Sequence, residues 1–188
     1  MQPIKFRTIE EARTLQVPQT SRKVIERALS TVDFVLNGNA SRLIKVKTIF
    51  EAADDIIAEI SPLSVCKKGC NHCCYIDVPI TEIEAKYIEK NTGKVVRLNH
   101  GNYKPHGKRT PCTLLGSDGA CSIYSYRPLV CRAYLTFDSP TYCQENSIDH
   151  VTYDSRAHPN LMKLGEVLIQ LNNASGFKDI REYFPLDV

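Results

Sequence analysis

Cysteine supplies most of the reactive chemistry in this chain. Cys66, Cys70, Cys73, Cys74, Cys112, Cys121 and Cys131 fall within one stretch, and Cys143 follows a little later. The first four form a C-x3-C-x2-C-C run, a spacing at which one turn of backbone can aim three or four thiolates at a point. Thiolates are soft donors that select zinc, copper(I) or iron–sulfur iron over hard cations. A disulfide framework is the competing reading, and it requires an oxidising compartment. Residues 1–20 argue against that, because Glu10, Glu11 and Arg13 interrupt their short apolar pieces and no continuous secretory segment is present. No run of about twenty apolar residues could span a bilayer. A cytoplasmic metal-binding protein is therefore expected, with no membrane partner and with all eight cysteines as candidate ligands.

Other chemistry is sparse. His72 lies inside the first cysteine run, but with eight thiols available it is expected beside a metal and not on it. His100 and His106 belong to Lys94–Arg109, a stretch with five basic residues, no acid and Tyr103. Such a loop could follow a phosphate backbone with the tyrosine stacked on a base. The net charge is only +3, however, so a solvated surface loop is the expectation and nucleic acid is not the expected partner. A protein partner stays open. Lys67, Lys68, Arg127 and Arg132 flank ligand positions and could offset thiolate charge, while His150 and His158 are expected in loops. Glycine-rich phosphate loops, a G-x-S-x-G elbow and an H-E-x-x-H pair are absent, so no catalytic residue is assigned. Cys66, Cys70 and Cys73 reproduce the C-x3-C-x2-C spacing of radical S-adenosylmethionine enzymes, but a chain of 188 residues with this pattern has no room for their barrel.

The elements that must position these groups read as helices. Thr8-x-x-Glu11 has the form of a capping box. Apolar residues then recur at three and four from Val24 to Val35, with Asn37-Gly38 as a stop, and from Leu43 to Ile60, ending at Ser61-Pro62. These predict an antiparallel helical hairpin. Leu161, Leu164, Leu168 and Leu171 predict a third long helix, capped by Gly176, that closes the bundle. Thr81-x-x-Glu84 predicts a helix running to Gly93, whose amino end would stabilise the nearby thiolates. The turn sequence Gly116-Ser117-Asp118-Gly119 should bring Cys112 and Cys121 together, and Pro128 suits the first turn of a short helix carrying Cys131 and Arg132. The tail Ile180–Val188 is apolar enough to dock on the core or on another chain. The expected fold is mainly α, with helices packed around an irregular cysteine-rich centre. It is organised as one domain with a helical region (1–62), a cysteine-cluster region (63–145) and a C-terminal helix and tail (146–188).

Cys66-x3-Cys70-x2-Cys73-Cys74, followed by Cys112-x8-Cys121-Ser-Ile-Tyr-x-x-Arg-Pro-x-x-Cys131-Arg, resembles the YkgJ-type cysteine-cluster family, a zinc- or iron-chelating CxxCxxCC domain. The family's first pair is usually two residues apart; here three lie between Cys66 and Cys70. The resemblance implies a metal site built from the eight cysteines and no specific activity. Flagellin lysine N-methylases carry a similar region. That keeps a metal-dependent enzyme, redox or methyl-transferring with an open coordination position, beside the preferred reading of a structural, binding or electron-transfer centre. Adjacent Cys73 and Cys74 are awkward as ligands of one tetrahedral ion, so two four-thiolate zinc sites or a [4Fe–4S] cluster with further thiols are both compatible. The crowding of the first four cysteines favours an iron–sulfur cluster over zinc.

Overall fold

A computed structural model of the protein describes residues 6–67, 69–98, 105, 110–144, 149–172 and 176–186. It is mainly helical, as expected. Helix α1 (Ile9–Arg13) opens on a complete capping box between Thr8 and Glu11. Helices α2 (Arg22–Asn37) and α3 (Arg42–Ile60) form the antiparallel hairpin. Its direction is fixed by the Ser21 N–H donating to Glu59, Arg27 pairing with Asp55, and Lys45 donating to the Val35 carbonyl. Gly38 follows α2 in extended conformation, and a Cβ there would lie 2.5 Å from the Phe34 carbonyl oxygen, so the position suits glycine. The sequence pattern was too generous in places: Leu29 and Ile44 face solvent, 44% and 52% exposed. The buried stripes run instead through Ala28, Thr31 and Val35 on α2, and through Val46, Ile49, Phe50, Ala53 and Ile56 on α3.

Helix α7 (Pro159–Leu171) closes the bundle with Leu161, Leu164, Val167 and Leu168. Two expectations about its ends need correction. His158 is not a loop residue but the N-cap, its Nδ1 accepting from the Leu161 N–H at 3.3 Å. Gly176 lies beyond the helix, which ends at Asn172. The buried Asn172 side chain accepts instead from the Ile83 N–H, in the first turn of α4 (Glu82–Thr92).

Helix α4 is the wall shared by two cores. Its Ile83 and Tyr87 join the bundle, whereas Ala85 and Ile88 join a second cluster with Val78, Ile80, Leu114, Ile123, Ile180, Tyr183 and Phe184. The tail therefore docks on this chain: β2 (Lys178–Asp179) pairs antiparallel with β1 (Pro79–Ile80), and α8 (Ile180–Tyr183) follows. Leu186 at its end is 68% exposed. Among the described residues no helix is long and apolar enough to cross a membrane.

Candidate metal centre

Several backbone devices bring the cysteines together. Gly69, at φ 92°, lets the chain turn between Cys66 and Cys70, and Cys73 and Cys74 lie on a 3₁₀ turn, His72–Tyr75. The Cys112 N–H donates to the Cys74 carbonyl at 2.7 Å, joining the first run to the second. Gly119, at φ 75°, closes the predicted turn, and Leu115 pairs with Cys121 in an antiparallel bridge that places Cys121 beside Cys112. Pro128 then precedes α5 (Leu129–Ala133), which carries Cys131, while α6 (Pro140–Gln144) carries Cys143 and packs on the 72–75 turn.

Six of the eight thiols, those of Cys70, Cys73, Cys74, Cys112, Cys121 and Cys131, line one cavity of about 80 Å³. Most of the remaining wall is apolar, with Leu114, Ile123, Val130 and Ile180 among it. Cys66 lies elsewhere, packed against the bundle core, with its Sγ accepting from the Thr136 N–H at 3.4 Å. All eight cysteines are free thiols.

Their electrostatics suit a cation. Burial pushes the thiols of Cys70, Cys112, Cys121 and, most strongly, Cys131 upward. Burial likewise raises Cys143 to about 12. Cys73 goes the other way, because the Cys74 thiol hydrogen-bonds to it and stabilises its thiolate; Cys74 is raised in turn. Buried thiols close to one another resist ionisation until a cation shares their charge. Among the described residues no three Cys, His, Asp or Glu side chains already meet at a point. The thiols surround the cavity, and ligation at about 2.3 Å would require them to rotate inward. With soft sulfur crowding the wall, the donor set fits zinc or iron and not a hard cation.

The cations have different duties from those the sequence suggested. Arg127 stacks on Tyr124 at 3.8 Å, lines the cavity and favours the thiolates of Cys73, Cys121 and Cys131. Arg132 serves the architecture. It is 6% exposed, donates to the carbonyls of Arg127 and Ser125, and pairs with Asp54 of α3 at 2.5 Å. Lys67 is exposed near Cys70; Lys68 lies outside the described residues. The helix α4 amino end does not serve the thiolates, since Asn172 and the Thr81 hydroxyl occupy its N–H groups. His100, His106 and most of Lys94–Arg109 lie outside the described residues.

Arg181 was missed altogether. This buried side chain donates to Asp179 at 2.8 Å and to the carbonyls of Thr110, Ile76, Pro111 and Cys74, at 2.7, 3.1, 3.1 and 3.2 Å. It ties together the strands of chain that bear Cys74 and Cys112. The signal available was Asp179-x-x-Glu182, a capping box that does form.

Residues 65–154 match the CxxCxxCC family model, described as "Putative zinc- or iron-chelating domain". The match falls on the cysteine region and agrees with the resemblance read from its cysteine spacing. The match covers just under half of the chain, and no curated protein or solved structure matches. Both Arg181 and the tail that closes the second core lie beyond the CxxCxxCC segment.

Proposed function

We propose that the cavity holds a thiolate-ligated iron–sulfur cluster that completes the cysteine core and exchanges electrons through its rim. The observation that carries this is the size and lining of the cavity. At about 80 Å³ it is several times the space one water-sized sphere occupies, roughly 10–15 Å³, so it suits a polynuclear cluster better than a single ion. The six thiols on its wall are more than enough, since four cysteines are what a [4Fe–4S] cluster takes. The apolar wall excludes water, and Arg127 offsets the negative charge of the ligated cluster. Tyr124 and Val130, both lining the cavity, are 40% and 39% exposed, giving electrons a short route to a protein partner.

Anaerobic purification with iron, sulfide and zinc analysis tests the reading. Brown colour with matched iron and sulfide is expected, bleaching on reduction. A colourless protein with only zinc would replace the cluster with closed zinc sites and remove the electron-transfer role.

A further inference from the structure

A cleft of about 440 Å³ adjoins the cysteine cavity, with Leu114 in the wall of both. Three stretches of chain line it, 93–97 after α4, 113–114 after Cys112, and 184–186 in the tail. They are pinned in place, since the Arg97 N–H donates to the Tyr183 carbonyl at 2.8 Å and the Val96 N–H to Glu89 Oε1 at 2.8 Å. The lining divides by chemistry. Leu114 and Phe184 are buried, whereas Val95 and Leu186, 74% and 68% exposed, are the most exposed large apolar side chains among the described residues. Lys94 and Arg97 also line the cleft, and among the described residues no acidic side chain does.

Thr113 supplies the observation that points to a ligand. Its hydroxyl oxygen is buried and has no hydrogen-bond partner among the described residues, although the residue as a whole is only half-buried and lines the cleft. An unpaired buried hydroxyl is destabilising, and an acceptor brought by a ligand relieves it. Acids on the flanking elements are engaged elsewhere, Glu89 with the Val96 N–H and Glu182 with the Asp179 N–H. The carboxyl end of α4 would repel an anion, but its last carbonyls are occupied. The Asn91 and Thr92 side chains donate to those of Tyr87 and Ile88, and the Gly93 N–H donates to that of Glu89.

We infer that this cleft binds an amphiphilic carboxylate, an aliphatic acid whose head accepts from Lys94, Arg97 and the Thr113 hydroxyl turned outward, and whose chain lies on Val95, Leu114, Phe184 and Leu186. Size selects a small molecule over a protein partner. The volume falls in the range of about 300–1,000 Å³ usual for ligand pockets, whereas a stable protein interface needs about 800 Å² on each side. The two cations select an anion, and the aliphatic lining selects one with an apolar body. The site makes no use of the metal, so it stands apart from the cluster reading.

Calorimetric titration of the full chain with sodium decanoate, followed by methyl NMR, tests the assignment. One decanoate per chain is expected, with shifts at Val95, Leu114 and Leu186 and none at Leu164 in the bundle. Thr113→Val keeps the shape and removes the hydroxyl. It should weaken binding about tenfold while the free protein melts no lower than the wild type, whereas a threonine with a merely structural duty would lower the melting temperature. Lys94→Gln should weaken binding and reduce its salt dependence. Decanol binding as tightly as decanoate would overturn the carboxylate head, and inorganic phosphate binding as tightly would overturn the apolar body. No saturable decanoate binding, or binding that both variants leave unchanged, would overturn the site.

Discussion

The helical bundle and the cysteine core are held by different forces. In the bundle, Ile49, Phe50, Ile56 and Leu164 are essentially excluded from water and interlock across α2, α3 and α7. Each such side chain contributes about 1.5–3 kcal/mol by burial. The cysteine core has fewer apolar side chains, short helices and half-buried thiols, and its chain segments are joined by arginine-to-carbonyl contacts from Arg132 and Arg181. A region of that kind needs a cross-link, which the proposed metal–thiolate bonds would provide. Zinc-thiolate sites contribute about 10–16 kcal/mol at neutral pH, comparable to a whole domain's net stability.

The largest way to separate the two regions is to remove a cavity ligand. Cys131→Ser should abolish the cavity metal and make residues 110–134 protease-sensitive, while the far-ultraviolet signal of α2, α3 and α7 persists. Limited proteolysis with metal analysis reads this. Next comes Arg181→Met, which strands the buried Asp179 and frees four carbonyls; a loss of about 3–5 kcal/mol is expected in denaturant titration. Arg181→Lys should fail to rescue, because an ammonium cannot reproduce the planar fork. Leu164→Ala, in the bundle, should cost about 2–5 kcal/mol. Its cost should be the same with metal bound or chelated, in contrast to the first two.

The smallest effect is pH-dependent and belongs to the bundle. Burial holds the His158 pKa below its ordinary 6.5, and the neutral ring caps α7. A depressed pKa means that the unfolded chain binds the proton more readily. The cap is therefore fully present above pH 6.5 and lost as pH falls through the lowered value. His158→Ala should cost about 1 kcal/mol above that pH. His158→Asn should keep the cap and flatten the acid-side slope in thermal melts.

The same contrast explains what could be read in the sequence. Helix starts at Thr8 and Thr81 were legible because a cap is a local bond between neighbours in the chain. The turn at Gly116–Gly119 was legible for the same reason. Arg181 and Asn172 were not, since the carbonyls and the N–H they bind lie 70 to 107 residues away in sequence. Arg132 was read as a counter-charge to thiolates because it adjoins Cys131, yet its helix turns it toward Asp54 and Phe50. The cysteines announced metal by type and spacing; which of them line one cavity depended on the Cys112 bond to the Cys74 carbonyl and on the 112–121 turn.

Amide hydrogen exchange before and after metal chelation tests the central claim most directly. The account predicts that protection in 110–134 and 178–184 collapses on chelation while Ile49, Ile56 and Leu164 keep theirs. Equal loss in both regions, or no loss in either, would contradict it.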